Sequence, residues 1–422
     1  MFWSKIKAGA LQVTLFVAIV IALLLTAFIV LVHTHKTFSI QTDFIIEASK
    51  NSNKGIYYSL NHQIRLNDTV IIPFKDEDYK NLRTYRAYWG IFEKVTSIAS
   101  IKNKTLRRVA LIGAKQEQIN RTVLYIQDNN KPLVVVGETK IEGVAYLPER
   151  GVKPGNISGQ SYYGDQLIYG QTKKSSILPK PYHETLNQIE NISQQINTTD
   201  NDQFITLEQG KAYQNSFLQP KQVVYSNHDI LLSYVELLGH IVIQSKTKVT
   251  VDKTSVLKDV IIIAPKIEIL DDVKGNFQAI ATKNISVGKR VELSYPSALI
   301  LNEDETLLSD ENKNDNKIVI NDYSTVKGVV LFNSQPKVNN FNPQIKLTEQ
   351  AKAIGEVYCT ENIELKGTVY GSVFTNNFIT REAGSIYQNH IYNGTISIKQ
   401  LPIEYVGLSF EDSKKGVLKW LY

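Results

Sequence analysis

The sequence predicts a mainly β protein, with a single N-terminal transmembrane α-helix, a β-rich region, a parallel β-helix (solenoid) and one short amphipathic helix near residues 181–196. Three observations predict this fold: an uncharged apolar run at 8–32, apolar residues at helical spacing around residue 190, and short aliphatic strands that recur about every 18 residues after position 240. We therefore divide the chain into 1–37 (leader and transmembrane helix), 38–175 (stalk and Gly/Tyr-rich β region), 176–216 (helix and linker) and 217–422 (parallel β-helix, with an acidic loop insertion at 302–316).

The composition fits a folded protein with a large core. Of 422 residues, 43% are apolar and 21% are charged, so wholesale disorder is not expected. The 47 basic and 41 acidic residues are interspersed, whereas nucleic-acid binding needs a concentrated basic stripe, so no nucleic-acid partner is predicted. Cys359 is the only cysteine, which excludes an internal disulfide framework and disfavours a cysteine-based metal site. We expect it to be a small buried apolar residue of a strand.

The run from Ala8 to Val32 predicts a membrane anchor. At about 1.5 Å per residue, an uncharged helix of this length exceeds the roughly 30 Å hydrocarbon core of a bilayer. A cleaved signal peptide is the alternative, but its apolar region of about 7–15 residues would be shorter. Lys5 and Lys7 precede the run, which favours a cytoplasmic N-terminus. We therefore expect a single-pass inner-membrane protein that contacts the lipid bilayer through residues 8–32, with the bulk of the chain periplasmic or extracellular.

The N-terminus resembles that of a type IV pilin or a type II secretion pseudopilin, through the segment 7–14 (KAGALQVT) and the apolar run 15–32. The resemblance implies cleavage by a prepilin peptidase after Gly9, which makes Ala10 the first mature residue. Major pilins carry Glu at the fifth mature position, where this chain has Thr14, so the resemblance points to a minor pilin or a tip pseudopilin. A plain signal anchor that happens to contain a glycine is the other interpretation.

The middle of the chain predicts several short elements. Residues 38–60 are amphipathic in parts and could extend the anchor helix into a stalk. An aromatic cluster at 85–92 is expected to be core. Two β-favouring runs, 123–126 and 133–137, flank an Asn/Asp cluster and predict a β-hairpin. The glycines between 137 and 170 are typical of tight corners between short strands, and the apolar spacing of 186–196 predicts a helix that lies across or caps the β body.

The strands between 240 and 301 form two interleaved series. One comprises 241–243, 260–262, 278–280 and 298–300, and the other comprises 248–251, 266–269 and 284–287. Two strand families that share one period indicate that each period is one coil of a parallel β-solenoid. Stacking such coils at roughly 4.8 Å satisfies the backbone and buries an inward aliphatic row. A β-sandwich with evenly spaced strands is the alternative.

The segment 362–373 (NIELKGTVYGSV) is similar to the coils of bactofilin-type, polymer-forming β-helices. This resemblance implies a scaffold that associates end to end or laterally, and no chemistry. Together with the N-terminus and the Asn/Lys/Ile-rich composition, the chain looks like an envelope protein of a Bacteroidota-type bacterium.

The sequence predicts no catalytic, cofactor-binding or metal-binding residues. Asp271–Asp272 with Lys274 lie at a coil corner, where a polysaccharide lyase of this fold could place acidic ligands, but no second acidic pair recurs one coil later. His240 and His390 could mimic the histidine of coil-built acyltransferases; we interpret both as surface or turn residues. His33 and His35 have metal-like spacing without a third ligand, and we interpret them as interfacial anchors.

These observations lead to two functional hypotheses. The first is a non-enzymatic, membrane-anchored structural or interaction protein of the bacterial cell envelope, a minor component of a pilus-like or secretion assembly, whose partners are other envelope proteins or further copies of itself. The alternative is a surface carbohydrate-binding or carbohydrate-active β-helix protein that uses Tyr-rich grooves. A row of aromatic and carboxylate side chains along one solenoid face would favour the alternative, and a face capped by the 181–196 helix would favour the scaffold.

Overall fold

A single helix forms the predicted anchor and stalk. The structure is a computed structural model, which describes residues 8–74, 77–117, 120–194, 202–303, 316–335, 337, 339–411 and 413–421. Helix α1 (Ala8–Asn61) runs unbroken through both predicted segments. Its apolar side chains from Leu11 to Val32 are exposed, whereas Ala48 and Ile56 in its second half are fully buried. It is the one helix among the described residues that is long and apolar enough to cross a membrane.

The second half of α1 packs on an antiparallel sheet. Strands β1 (Thr69–Ile72), β2 (Lys80–Trp89), β3 (Phe92–Ile101) and β4 (Lys104–Lys115) form a meander in which each strand pairs with the next. Ile56 contacts the sheet in a small core with Val95, Ala110 and Ile112. The helix therefore lies against one face of the sheet, and the other face is left for the rest of the chain.

Gly55 brings α1 close to β3, and this contact gives a first prediction. A Cβ atom at Gly55 would lie 2.1 Å from Ser97 Oγ and 2.9 Å from Thr84 Oγ1. Alanine is normally the better helix former by about 1 kcal/mol, but here Gly55→Ala forces the helix off the sheet. We expect the free energy of unfolding to fall by about 1–3 kcal/mol, as measured by urea unfolding of the full chain in detergent.

The matched control for Gly55→Ala removes the obstacle. Adding Gly55→Ala to a Ser97→Gly background is expected to cost much less than adding it to the native chain, because the Ser97 hydroxyl is the nearest atom. An equal loss in both backgrounds would mean that the close approach is not the cause.

Between β4 and the C-terminal strands, the described residues form strands, most of them paired in parallel, and one further helix. These elements are β5 (Thr122–Ile126), β6 (Leu133–Val136), β7 (Lys140–Glu142), β8 (Val144–Leu147), β9 (Val152–Pro154), β10 (Asn156–Ile157), β11 (Gln160–Ser161), β12 (Thr172–Lys174), α2 (His183–Gln194), β13 (Gln203–Phe204), β14 (Ala212–Asn215), β15 (Gln222–Ser226), β16 (Ile230–Leu232), β17 (Glu236–Gly239), β18 (Ile241–Ser245), β19 (Lys248–Val251), β20 (Val256–Ile269), β21 (Lys274–Val287), β22 (Glu292–Asn302), β23 (Lys317–Ile320), β24 (Thr325–Asn333), β25 (Ile345–Leu347), β26 (Lys352–Leu365), β27 (Thr368–Glu382), β28 (Ser385–Gln388), β29 (His390–Tyr392) and β30 (Thr395–Ser397).

Most of these strands build the predicted parallel solenoid, which has three faces, while β10 pairs antiparallel with β11 and β28 pairs antiparallel with β27. In the coil formed by β20, face C comprises 256–258, face A 260–264 and face B 266–269, and the equivalent segments of neighbouring coils pair with each in parallel. Ile267 on face B pairs with Val249 on one side and Ile285 on the other. Each segment pairs in parallel with the equivalent segment of the next coil. This pairing confirms the predicted solenoid and rules out the β-sandwich alternative. The short helix is also confirmed, at His183–Gln194.

Faces A and B differ in pattern because face A is covered. On face B, Ile267 points into the core and Glu268 points out, which gives the alternation of a half-exposed strand. On face A, Ile262 belongs to the solenoid core, while its neighbours Ile261 and Ile263 belong to a second core shared with the sheet and α2. Because the face-A strand is buried on both sides, its sequence is a continuous aliphatic run and does not alternate.

The segment 122–174 extends the solenoid beyond its C-terminal coil. Leu124 of β5 pairs in parallel with Val373 of β27, and Ile141 of β7 pairs with Ile396 of β30. The predicted β-hairpin at 123–137 is therefore wrong: β5 and β6 lie on different faces of one coil, and the Asn/Asp cluster forms a coil corner. The predicted division places 38–175 and 217–422 in separate regions. In the structure, strands from these two regions pair with each other in one parallel ladder.

The chain ends back in the sheet. Strands β31 (Val406–Gly407) and β32 (Lys415–Leu421) both pair antiparallel with β4. The helix-and-sheet unit is thus built from both ends of the chain, and the solenoid is inserted between β4 and β31. Helix α2 crosses face A, where it contacts β20, β21 and β22. Most of the predicted acidic insertion (304–315) lies outside the described residues.

Candidate functional site

The turn between β2 and β3 is held against face A by one glutamine. The side chain of Gln278 accepts a hydrogen bond from the Ile91 amide and donates one to the Trp89 carbonyl, both at 2.9 Å. The indole of Trp89 in turn donates to the Asp259 carbonyl at 3.0 Å. These three contacts, all buried or nearly so, fix where the sheet sits on the solenoid.

A cavity of about 720 Å³ lies beside this turn. Its walls come from the β2–β3 turn, α2 and the first face-A coils, so three distant parts of the chain form it. The lining contains aromatic rings, two lysines and several side-chain amides; the residues used below are Trp89, Lys94, Gln188, Asp202, Phe217, Gln219, Lys221, His240 and Gln244.

His240 and Lys94 meet at the cavity. Lys94 Nζ lies 3.4 Å from His240 Nε2, and His240 Nδ1 lies 2.9 Å from the Gln219 carbonyl. The imidazole also contacts Trp89 and Phe217, with ring centroids 4.7 and 5.1 Å away. The sequence-based interpretation of His240 as a surface or turn residue is half right: it lies in a bend after β17 but is only 8% exposed, because the sheet covers this corner.

Burial sets the charges at this site. It lowers the pKa of His240 to about 4, with the Lys94 ammonium as a further cause, so the imidazole is neutral at pH 7. Its Nδ1 donates to the Gln219 carbonyl, which leaves Nε2 to accept from Lys94. Burial also lowers the pKa of Lys94 to about 8, and repulsion from Lys221 adds to this effect. Lys221 itself is paired with Asp202 at 3.1 Å.

A buried ionic network adjoins the cavity and joins four elements. Arg86 on β2 donates to Glu93 at 2.8 Å, to Glu184 of α2 at 2.6 Å, and to the Ile64 carbonyl just after α1 at 2.9 Å. Lys415 at the start of β32 reaches Glu93 at 2.8 Å. The Arg86 and Glu93 side chains are only 2% and 3% exposed. The network therefore fixes α2 relative to both the sheet and the segment that follows α1.

A second buried pair lies where the last strands meet the solenoid. Glu356 on face A accepts a hydrogen bond from the Leu408 amide at 2.6 Å and lies 3.6 Å from Arg121. The Arg121 guanidinium stacks over Tyr405 at 5.2 Å, whose hydroxyl donates to the Gly328 carbonyl. Desolvation raises the pKa of Glu356 to about 7, although Arg121 acts in the opposite direction.

The shifted pKa of Glu356 predicts a pH-dependent difference in stability. A carboxyl whose pKa is higher in the folded state stabilises the fold at low pH and loses that contribution as pH rises, here between about 4.5 and about 7. Glu356→Gln cannot titrate, so its stability relative to the native chain is expected to rise from pH 5 to pH 8, by on the order of 3 kcal/mol at about 1.4 kcal/mol per pH unit.

Urea unfolding of both chains at pH 5, 6, 7 and 8 measures this difference. The comparison with the native chain is essential, because His240 titrates in the opposite sense and masks the slope of either protein alone. Glu292→Gln, at an exposed position of β22, is the control and should show no such trend. A pH-independent difference for Glu356→Gln would contradict the prediction.

The other residues singled out in the sequence lie apart from the cavity. Gly9 and Ala10 lie at the exposed start of α1, and His33 and His35 are exposed further along it. Cys359 is fully buried, as predicted. Asp272 is paired with Arg290 at 2.7 Å at a coil corner. His390 is half-buried at the start of β29, and its Nδ1 contacts the Gln388 carbonyl. No three His, Cys, Asp or Glu side chains converge to hold a metal in the part of the chain that is described.

No protein-family model and no curated protein matches the chain. Among solved structures, it is similar to the competence-associated pilin ComZ from Thermus thermophilus, with 11% identity and a TM-score of 0.18 over 91% of this chain and 98% of that chain. A likeness at this TM-score carries no inference about fold or function.

Proposed function

We propose that the chain is a membrane-anchored structural protein of the bacterial cell envelope, built as a minor subunit of a pilus-like or secretion assembly. The observation that carries the proposal is the two-part character of α1. Its first half exposes apolar side chains from Leu11 to Val32, and its second half is buried against the sheet. A large exposed apolar surface needs a cover, and lipid or the matching helices of neighbouring subunits would supply one.

The pilin-like part of the proposal rests on the N-terminal sequence. Cleavage after Gly9 would make Ala10 the first residue of a helix that is continuous to Asn61. At the fifth mature position, the Thr14 hydroxyl donates to the Leu11 carbonyl at 2.9 Å. That side chain is satisfied within its own helix and carries no charge into the apolar surface, which suits a minor subunit better than a major one.

The solenoid supports a scaffold role over a carbohydrate-active one. Face A is covered by α2 and the sheet. Faces B and C carry ion pairs between neighbouring coils, among them Lys248–Glu268 at 2.7 Å, Lys274–Glu292 at 3.3 Å and Lys346–Glu364 at 3.0 Å. The carboxylates of these three pairs are thus bound to lysines of the neighbouring coil. We propose no enzymatic role, and we expect the partners to be other envelope proteins or further copies.

The N-terminus of the protein isolated from native membranes tests this proposal. Mass spectrometry is expected to find Ala10 as the first residue, and a Gly9→Phe variant is expected to retain residues 1–9, because the bulky side chain would block the leader peptidase. A native chain that keeps its leader in the membrane fraction would contradict the pilin-like assignment. A chain found in the soluble fraction would contradict the anchor as well.

A further inference from the structure

The cavity beside the β2–β3 turn contains one lysine ammonium without a carboxylate partner in the described part of the chain, and side-chain amides that can bind hydroxyl groups. Lys94 has no carboxylate within 4.0 Å among the described residues, whereas the second lysine of the lining, Lys221, is paired with Asp202. The close polar neighbour of Lys94 is the neutral His240, at 3.4 Å, a distance beyond the usual 2.7–3.2 Å of an N–H hydrogen bond. A partly desolvated ammonium with so weak a partner favours an anion.

The rest of the lining indicates which anion. Side-chain amides from α2 and from the solenoid line the cavity at Gln188, Gln219 and Gln244. Each amide can both donate and accept, which suits sugar hydroxyls. The rings of Trp89 and Phe217, packed edge to face at 5.2 Å, form an apolar floor. A volume of about 720 Å³ lies within the usual range of small-molecule sites.

We propose that this cavity binds an acidic saccharide, with the sugar carboxylate on Lys94 and the hydroxyls on the surrounding amides. A bare anion such as phosphate would contact Lys94 but would make no use of the hydroxyl-binding amides or the apolar floor. A neutral sugar would use the amides but leave Lys94 uncompensated. The structure therefore assigns one ligand class to a site that the scaffold proposal does not require. The site lies next to the Arg86 network, so a bound ligand would contact α2 and the sheet together.

Calorimetric titration of the full chain in detergent tests the site with three probes: D-glucuronate, D-glucose and inorganic phosphate. Glucuronate is expected to bind at least about tenfold more tightly than either of the others, because it alone forms both the charged contact and the hydroxyl contacts. Phosphate that binds as tightly as glucuronate, or glucuronate that shows no saturable binding, would overturn the proposal.

Two variants locate the binding. Lys94→Met is expected to weaken glucuronate binding by about tenfold or more, and it removes a costly buried charge, so the fold should tolerate it. Gln244→Leu is expected to weaken both glucuronate and glucose. Lys258→Met, at an exposed lysine on face C, is the matched control and should bind like the native chain. Unchanged glucuronate binding by Lys94→Met would place the ligand elsewhere and overturn the assignment.

Discussion

Replacing Ile318 by aspartate is expected to disrupt the stacked coils around it and to lower the free energy of unfolding by at least about 4 kcal/mol. Ile318 on β23 is fully buried and stacks between Ile285 and Ile345 on the inward row of face B. Aspartate would place an unpaired carboxylate among aliphatic side chains, where burial of a charge without a partner is very costly. Because each coil is stabilised by its neighbours, the damage should spread along the stack.

The next residue on the same strand is the control. Val319 points outward and is half-buried, and it pairs with Ser286 and Lys346. Val319→Asp makes a similar aliphatic-to-acid change one position away and is expected to cost less than about 1 kcal/mol. Urea unfolding followed by circular dichroism compares the two. Similar losses for Ile318→Asp and Val319→Asp would mean that the strand has no inward and outward side.

Replacing Arg86 by methionine is expected to cost about 3–5 kcal/mol, the usual consequence of removing one partner from a buried ion pair. Methionine keeps most of the side-chain volume, so a cavity is not the main cause. Among the described residues, the change leaves the buried Glu93 with Lys415 as its remaining cation, and it removes the donor to the Ile64 carbonyl. We expect α2 to detach first, because Glu184 loses its contact with the sheet.

Arg83→Met is the matched control for Arg86→Met. Arg83 lies on the same strand but is exposed, so its replacement is expected to change stability by less than about 0.5 kcal/mol. Adding Glu93→Gln to Arg86→Met should restore part of the loss, since the stranded buried charge is then removed. Tryptophan fluorescence during urea unfolding measures these losses, since Trp89 lies on the same strand as Arg86. Equal effects of the two arginine replacements would contradict the account of the network.

The features predicted from the sequence are those with local signals. The uncharged run before His33 is visible in any window of the chain, and so is the recurrence of Ile267 and Ile285 at one coil's separation. Both signals have a local physical cause. A segment in lipid must be an apolar helix, because its backbone hydrogen bonds must be satisfied internally, and stacked coils must each place apolar residues at the same inward positions. The continuous aliphatic run around Ile261 is equally visible in the sequence. The reason for its continuity is not, because the sheet and α2 that cover this face lie elsewhere in the sequence.

The features missed are those that depend on distant pairing. Strand β5 looks the same in sequence whether it pairs with β6 in a hairpin or with β27 in a solenoid, and its actual partner Val373 lies far along the chain. The cavity has the same origin, since Lys94 and His240 meet across 146 residues of sequence. Turn-favouring residues cannot distinguish a corner of a coil from the turn of a hairpin. A single lysine or histidine likewise does not indicate which other part of the chain will bury its side chain.

An engineered disulfide tests the parallel stack most directly. Glu268 and Ser286 pair in register on the outside of face B, so their Cα atoms should lie about 4.8 Å apart, within the range that a disulfide spans. Glu268→Cys with Ser286→Cys is predicted to cross-link rapidly under mild oxidation, and Cys359 is too buried to compete. Thr250→Cys with Ser286→Cys, two coils apart, should stay reduced. Failure of the first pair to cross-link, or equal cross-linking of both pairs, would contradict the solenoid.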